Sequence, residues 1–200
     1  MTHRPYDYST RQGIHPISWE DFHGLCKGLA LAVAPFAPQI ILAVGRGGFY
    51  PGTLIAHLLR AEIYPVRLSR RVNDVVRYEH PQWLVRPPAL VKDRRVLVVD
   101  EISSTGETIT QVKAEAESLR AAEVRNAVLY AHTWGTSTPD YIGLITDALI
   151  LNPWDREILD DGQFVMHPEY AGALKQQGVE PDPSLLIGAA AAPVAKKPGS

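Results

Sequence analysis

The sequence lacks several features that would assign it to a particular class of protein. It has one cysteine among 200 residues, Cys26, which excludes an intramolecular disulfide bond. It lacks a basic excess, since its 20 lysines and arginines are balanced by 22 aspartates and glutamates, and such an excess is the usual sign of nucleic-acid binding. No uninterrupted apolar run approaches the roughly 20 residues that span a bilayer, because Pro35 and Pro38 interrupt the longest candidate, Leu29 to Val44.

These absences narrow the cellular context. The polar N-terminus, MTHRPYDYSTRQG, lacks the apolar core of a signal peptide. We therefore expect a cytoplasmic protein with neither a nucleic-acid nor a membrane partner. Cys26 lies among apolar residues of a predicted helix, which indicates a buried, inert thiol rather than a nucleophile. The histidines other than His132 are scattered and lack the spacing of metal ligands.

The sequence does contain an alternation of short apolar runs and amphipathic segments, in a composition typical of globular proteins. This alternation predicts a single α/β domain with a parallel sheet flanked by helices. We assign residues 1–187 to that domain and expect the small-residue tail at 188–200 to be disordered. The predicted strands are 40–44, 62–68, 95–100, 124–131 and 148–151, and the predicted helices are 51–60, 107–122, 168–177 and one that begins at Ser18 and ends at Pro35.

Residues 69–90 depart from this alternation. They are rich in arginine and proline and show little periodicity, which predicts a long surface loop. Loops of this length inside compact domains are uncommon and are often lids over a binding site. A poorly ordered connector is the other interpretation, and the sequence leaves both open.

One segment, V-V-D-E-I-S-S-T-G-E-T from Val98 to Thr108, carries a pattern suited to a sugar phosphate. A predicted strand ends in Asp100 and Glu101, and a run of small hydroxylated residues leads into a helix. Such a loop can turn its backbone N–H groups toward an anion, and the helix N-terminus adds the positive end of its dipole. The carboxylates can accept hydrogen bonds from sugar hydroxyls or favour a nearby cation. A strand end followed by a helix cap explains single residues of this run but not the whole.

Other phosphate-binding patterns are absent. The chain contains neither the G-x-x-x-x-G-K-[ST] motif of P-loop proteins nor the G-x-G-x-x-G motif of dinucleotide-binding folds. A second strand–glycine turn–helix segment, Ala43 to Thr53, places Arg46 before Gly47 and Gly48. A tight turn would need glycines in any case, so this segment alone is a weak indication of a ligand site.

Together the two segments resemble the phosphoribosyltransferase family of the type I fold. The Val98–Thr108 run is similar to the family's signature for phosphoribosyl pyrophosphate (PRPP), and the Arg46 turn is similar to its pyrophosphate loop. Further stretches at Ile17, Pro139 and Asn152 resemble the branch that acts on xanthine, hypoxanthine and guanine. The likeness extends over residues 17–158.

The resemblance implies an activity. We expect transfer of the 5-phosphoribosyl group of PRPP to a nucleobase, a purine, with release of pyrophosphate, as in purine salvage. It also implies a parallel sheet with a small hood built from the ends of the chain. Mg²⁺ is the implied cofactor, held mainly by substrate oxygens. The expected partners are PRPP, a nucleobase and a second copy of the chain, because members of the family usually dimerise.

The resemblance also implies a role for each site residue. Asp100 and Glu101 are expected to hold the ribose hydroxyls and, with Arg46, to form the catalytic set. The remaining assignments fall into four groups. They are the 5′-phosphate loop (Ser103, Ser104, Thr105, Gly106, Glu107, Thr108), the pyrophosphate loop (Arg46, Gly47, Gly48), the base contacts (His132, Trp154, Asp155) and the lid (Arg70, Arg71, Arg77).

Two positions depart from the pattern of enzymes that act on 6-oxopurines. Ser104 stands where these enzymes usually have an aspartate that handles the N7 proton, and His132 stands where they usually have a lysine. A neutral histidine can donate or accept a hydrogen bond, so it suits an oxo or an amino substituent. Two alternatives therefore stay open: a PRPP-binding regulator without base chemistry, and a PRPP-dependent enzyme with a non-standard acceptor.

Overall fold

A computed structural model describes Tyr8 and residues 10–72 and 75–181 of the chain. The tail at 188–200, which the sequence predicts to be disordered, lies outside the described residues. Contacts divide the chain into two units, one of Met1–Tyr6 with Trp19–Ala148 and the other of Asp7–Ser18 with Leu149–Ser200. The assignment of 1–187 to one domain stays a prediction.

The described residues contain four α-helices and twelve strands. The helices are α1 (Trp19–Val33), α2 (Phe49–Leu59), α3 (Glu107–Ser118) and α4 (Pro168–Gln176). The strands are β1 (Ile14–Pro16), β2 (Ile40–Val44), β3 (Glu62–Ser69), β4 (Arg71–Val72), β5 (Val75–Val76), β6 (Gln82–Val85), β7 (Arg95–Ser103), β8 (Glu123–Ala131), β9 (Tyr141–Ile145), β10 (Leu149–Leu151), β11 (Glu157–Asp160) and β12 (Gln163–Met166).

The first unit is built on a six-stranded sheet with the order β6-β3-β2-β7-β8-β9. Its five neighbouring strands from β3 to β9 pair in parallel, and β6 joins the edge of β3 antiparallel. The central strands β2 and β7 are covered on both faces, which explains why their sequences are continuous apolar runs rather than alternating ones. The predicted parallel α/β fold is confirmed.

Helices cover both faces of this sheet. Successive side chains of a strand point to opposite faces, and on one face Leu42 and Val98 pack with Ile109 and Val112 of α3. On the other face, Gly52 of α2 lies against Ala43. Helix α1 buries Phe22, Cys26, Leu29, Ala30 and Val33, one stripe at helical spacing. Cys26 is fully buried, and burial raises the pKa of its thiol to about 12, so the predicted inert thiol is confirmed.

The structure corrects several predicted boundaries in this unit. Strand β7 does not end at Asp100 but continues to Ser103, because its last residues keep their pairing with β8. The segment 69–90 is not a loop throughout: β6 pairs with β3, and the short strands β4 and β5 pair with each other. Helix α3 ends at Ser118 rather than 122, and α2 begins at Phe49, two residues earlier than predicted.

Strand β9 was not predicted, because the glycine in Y-I-G-L-I is typical of a turn. Here Gly143 serves a close approach of two strands. A Cβ atom on this residue would lie 2.7 Å from the carbonyl oxygen of Leu129 in β8. A glycine inside a strand often marks such an approach of backbones.

The second unit pairs residues 10–18 with residues from Leu149 onward. Strand β1 pairs in parallel with β10, and the backbone N–H of Ile17 continues the pairing to the Leu151 carbonyl at 3.0 Å. The Arg156 guanidinium donates to the carbonyls of both Ile17 and Leu151. Helix α4 begins at Pro168, where the His167 ring accepts a hydrogen bond from the Glu169 N–H at 3.1 Å. Strands β11 and β12 form an antiparallel hairpin.

No helix among the residues described is both long and apolar enough to cross a membrane.

Candidate active site

A cavity of about 320 Å³ lies where β2, β3 and β7 end. Parallel pairing brings the carboxyl ends of these three strands to the same edge of the sheet, where ligands bind in open α/β folds. The lining residues are Val44 and Gly45, at the end of β2, then Leu68, Ser69, Arg70 and Pro81 on one wall, and Asp100, Ile102 and Thr108 on the opposite wall. The structure thus brings a predicted lid residue, Arg70, to the same cavity as Asp100 and Thr108 of the predicted sugar-phosphate run.

Asp100 carries the strongest electrostatic perturbation at this cavity. Desolvation raises the pKa of its carboxyl from 3.8 to about 7, although the Glu101 N–H, which donates to Asp100 Oδ1 at 2.7 Å, lowers it. A carboxyl that lies in a cavity and has a pKa shifted toward neutral pH is typical of a functional site. The group can change its charge when a cation or a sugar hydroxyl replaces the lost water.

Glu101 points elsewhere, toward the turn after β2. A Cβ atom on Gly47 would lie 2.7 Å from the carboxyl carbon of Glu101. Gly48 is also required, since its Cβ would lie 2.7 Å from the Val99 carbonyl oxygen of the neighbouring strand. The two adjacent carboxylates therefore serve different places, with Asp100 at the cavity and Glu101 against the predicted pyrophosphate loop.

The predicted pyrophosphate loop is fixed at both ends. The Gly45 N–H donates to the Val66 carbonyl of β3 at 2.8 Å, and the Arg46 carbonyl accepts from the Phe49 N–H at 3.1 Å as α2 begins. The peptide bond between Gly45 and Arg46 is cis. The Arg46 side chain is exposed at the surface of this turn.

The predicted phosphate loop leads from β7 into α3. Gly106 has a φ of +75°, and a Cβ atom there would collide with Thr138. Its carbonyl accepts the Thr110 N–H at 3.0 Å, and the Thr105 hydroxyl accepts the Glu107 N–H at 3.4 Å. The left-handed conformation at Gly106 turns the chain into the helix, so the loop faces the N-terminus of α3.

Ser103 requires a correction. This residue was predicted to bind the 5′-phosphate, but it is the last residue of β7 and its side chain is buried. Its hydroxyl donates to the Gly135 carbonyl at 3.0 Å. The loop that remains for an anion consists of Ser104, Thr105, Gly106, Glu107 and Thr108.

Residues 133–138 support the phosphate loop, a role that the sequence analysis missed. A Cβ atom on Gly135 would lie 2.6 Å from the Ser104 carbonyl oxygen, and Thr138 lies against Gly106. The signal in the sequence is the small-residue stretch G-T-S-T, residues 135–138, after β8. Such a stretch is typical of an ordinary turn, and the sequence does not show that it contacts the phosphate loop.

His132 also requires a correction. Predicted to contact the base, it is 1% exposed, and its Nδ1 donates to the Thr146 carbonyl at 2.8 Å. The indole of Trp134 stacks on the imidazole, with 4.7 Å between ring centroids and 20° between planes. Asp147 lies 3.9 Å from the same nitrogen and accepts hydrogen bonds from Thr133. The histidine is therefore part of a buried strand end, and direct contact with a base is not supported.

The other two predicted base contacts, Trp154 and Asp155, belong to the second unit. They lie in the turn after β10, where the Asp155 N–H donates to the Asn152 carbonyl at 3.3 Å. The Tyr170 hydroxyl of α4 donates to Asp155 Oδ2 at 3.4 Å. Trp154 is partly buried within that turn.

Part of the predicted lid consists of short paired strands. The Arg70 carbonyl accepts the N–H groups of Arg77 and Tyr78 at 2.7 and 3.0 Å, which brings Arg77 beside Arg70. Arg71 begins β4 and pairs with Val76. Two ion pairs, which the sequence did not predict, connect the segment to α3: His80 to Glu107 at 2.8 Å and Arg86 to Glu115 at 2.7 Å.

Among the described residues, no group of three or more acidic, histidine or cysteine side chains is arranged to hold a metal ion. Asp100 is the carboxylate that lines the cavity. Mg²⁺ prefers oxygen ligands and is commonly bound by one or two carboxylates together with substrate phosphates. The residues present fit such a shared site, with Asp100 as the protein ligand.

Comparison with known proteins identifies the family. A model described as phosphoribosyl transferase domain matches residues 15–160. The chain belongs to the phosphoribosyl transferase family. Its resemblance to this family, and the fold class that the resemblance implies, are therefore confirmed.

Individual relatives of this chain are distant in sequence. The hypoxanthine-guanine phosphoribosyltransferase of Saccharomyces cerevisiae is 27% identical over an alignment that covers 54% of this chain and 58% of the yeast protein. The chain thus spans less than two thirds of that relative. A purine phosphoribosyltransferase from Pyrococcus horikoshii matches with a TM-score of 0.65 at 25% identity, covering 76% of this chain and 100% of the other. For the Helicobacter pylori xanthine-guanine-hypoxanthine enzyme the TM-score is 0.60 at 20% identity, with 72% and 93% covered.

The pKa of Asp100 makes a stability prediction. Because the folded protein binds this proton more tightly than the unfolded chain, the contribution of Asp100 to stability is largest below pH 4 and is lost as the pH rises to about 7. Asp100→Asn has no such loss. From pH 4 to pH 8 we expect the free energy of unfolding of the variant to rise relative to wild type by on the order of 1–3 kcal/mol, measured by urea unfolding.

Glu117→Gln, an exposed carboxylate on α3, is the control. A difference between Asp100→Asn and wild type that does not change with pH would contradict the assigned burial of Asp100.

The contact between Gly135 and the phosphate loop makes a second prediction. Gly135→Ala places a methyl group against the carbonyl oxygens of Ser103 and Ser104, which are backbone atoms and cannot turn aside. We expect a loss of about 1–3 kcal/mol in the free energy of unfolding. Gly28→Ala on α1 is the control, because a Cβ there meets nothing within 4 Å and alanine favours the helix by about 0.5–1 kcal/mol. Equal stability of the two variants would show that residues 133–138 do not support the loop.

Proposed function

We propose that the protein transfers the 5-phosphoribosyl group of PRPP to a nucleobase, with a purine as acceptor, and releases pyrophosphate. The observation that supports this most is the cavity itself. Asp100, whose carboxyl has a raised pKa, lines this cavity opposite Arg70. The cavity volume of about 320 Å³ is in the range of small-molecule sites. A helix N-terminus with hydroxyl groups adjoins the same space.

The sugar would lie between the carboxylates and the phosphate loop. Asp100 accepts hydrogen bonds from the ribose hydroxyls, and Glu101, against Gly47, accepts from the side of the pyrophosphate loop. The 5′-phosphate is bound by the N–H groups of Ser104 to Glu107 and by the hydroxyls of Thr105 and Thr108. These groups fix the anomeric carbon relative to the turn after β2.

The leaving group would be held by cations. Arg46 and the Gly47 N–H contact the pyrophosphate, and Arg70 reaches it from the opposite wall of the cavity. Asp100, together with substrate oxygens, would hold Mg²⁺, which would supply positive charge beside the pyrophosphate. Charge stabilisation of this kind acts where negative charge develops as the bond between ribose and pyrophosphate breaks.

The lid excludes water during this step. Breaking the glycosidic bond leaves a cationic, oxocarbenium-like ribosyl centre that water could capture. Arg77, held beside Arg70 by its backbone, and Arg71 in β4 belong to the segment that closes over the pyrophosphate. In the closed site the nitrogen of the base is then the nucleophile within reach of the ribosyl centre. The main catalytic task is therefore to position the base.

The acceptor is proposed from two sources. The yeast and Pyrococcus relatives are named for hypoxanthine-guanine and purine transfer. In this chain, Trp154 offers an aromatic face on which a purine can stack, and Asp155 offers a carboxylate for the base edge. Ser104 lacks the basicity of a loop aspartate, so proton handling at the base does not come from this position.

The first test is pyrophosphate release with PRPP, Mg²⁺ and one base at a time: adenine, hypoxanthine, guanine, xanthine, uracil and orotate. We expect turnover with a purine. We expect the double variant Asp100→Asn, Glu101→Gln to lose at least about 100-fold in kcat, in line with removal of groups that stabilise a transition state, while its unfolding remains cooperative. Glu123→Gln, at the amino end of β8, is the control and should keep full activity.

Unchanged turnover in the double variant would overturn the site assignment. PRPP binding without turnover on any base would favour a regulatory protein or an enzyme with another acceptor.

A further inference from the structure

The phosphate loop contains a carboxylate in an unfavourable place. Glu107 is the first residue of α3 and directly follows Gly106. Its charge suits the helix dipole, but the same helix end is where the proposed function puts a phosphate dianion. Two negative charges at the same helix end repel each other. A protein that binds phosphate here therefore needs a positive group close to Glu107.

The structure places an imidazole from the predicted lid there, which is positive when it is protonated. The His80 Nδ1 lies 2.8 Å from Glu107 Oε1. Both side chains reach solvent, with relative exposures of 67% for His80 and 36% for Glu107. An exposed pair of this kind contributes little to folding stability. What concerns the phosphate loop is the position of the pair at the cavity, not its contribution to folding stability.

The pair bridges the two walls of the cavity. Pro81, which follows His80, lines one wall, and Thr108, which follows Glu107, lines the other. The Gln82 side chain donates to the His80 carbonyl at 3.0 Å and holds the backbone of the segment at this point. The ion pair thus lies at the rim, between the lid wall and the phosphate loop.

A second ion pair connects the same two elements without bordering the cavity. Arg86 lies 2.7 Å from Glu115, two turns along α3, and its guanidinium lies over the Trp83 ring at 5.2 Å from the centroid. Neither residue lines the cavity. This pair attaches the segment to α3 but adds no charge at the loop.

We propose that His80 is a positioning residue whose imidazolium offsets the charge of Glu107 and so keeps the phosphate loop able to bind the 5′-phosphate of PRPP. This inference rests on the proposed function. The charged residues that line the cavity are Asp100 and Arg70, of opposite sign. Removal of the His80 side chain leaves the Glu107 carboxylate without this partner beside the incoming phosphate. Removal of both side chains also removes the repulsion between Glu107 and the phosphate.

The test is PRPP binding in the presence of Mg²⁺, measured by calorimetry at pH 6.0, where histidine side chains carry a proton. We expect His80→Gln to raise the Kd by about fivefold, within the range of exposed ion pairs. His80→Lys, which retains a cation, should stay within about twofold of wild type. The double variant His80→Gln, Glu107→Gln should regain at least half of the lost affinity on a logarithmic scale. The effect of His80→Gln should shrink between 0.05 and 0.5 M NaCl, because salt screens exposed charges.

Two controls separate charge from attachment. Arg86→Gln removes the other ion pair and should leave the Kd unchanged, and His57→Gln removes an exposed histidine of α2. The inference is overturned if His80→Gln binds PRPP as wild type does, or if the double variant is as weak as His80→Gln. Absence of PRPP binding in the wild type would instead overturn the proposed function.

Discussion

The parallel pairing of β2 with β3 and β7 is the constraint on which the rest of the site depends. Because all three strands run in the same direction, the turns that follow them meet at one edge of the sheet. The β2 turn carries Arg46, the β3 end carries Arg70, and β7 carries the carboxylates and the phosphate loop. Residues that are distant in sequence therefore surround one cavity without any long-range polar contact being needed to gather them.

Within that frame, glycines set how closely the turns approach. Gly47 makes room for Glu101, Gly48 for the carbonyl of Val99, and Gly135 for the carbonyls at the start of the phosphate loop. Each contact is with an element other than the glycine's own, so each glycine couples two turns. A side chain at any of them would separate backbones that must lie together if their N–H groups are to face one ligand.

The parallel sheet and its strands β2, β3, β7 and β8 could be predicted because apolar runs are a local signal, whereas β6 and β9 were not predicted. The sugar-phosphate run also has a local signal, namely carboxylates before small hydroxylated residues. The burial of the Ser103 and His132 side chains could not be predicted, since each residue lies at the junction between a strand and its loop. Whether such a side chain faces the ligand or the interior depends on how far the strand continues, and β7 continues four residues beyond its apolar run, which ends at Val99. The roles of Gly135 and His80 depend on contacts across 32 and 27 positions of the chain, for which no local pattern exists.

Stability and function make opposite demands on the end of β7. Asp100 is placed where its charged form is disfavoured, as its raised pKa indicates, and an amide would suit the folded chain better above pH 7. Glu107 repeats this conflict at the start of α3, where its charge favours the helix but opposes a phosphate. The first conflict is relieved by a cation or a sugar hydroxyl that comes with the substrate, and the second by His80, which the chain itself brings across the cavity. Under the proposed function, the charges of the site are balanced only when the substrate is bound and His80 lies beside Glu107, so binding of the sugar phosphate and that contact favour each other.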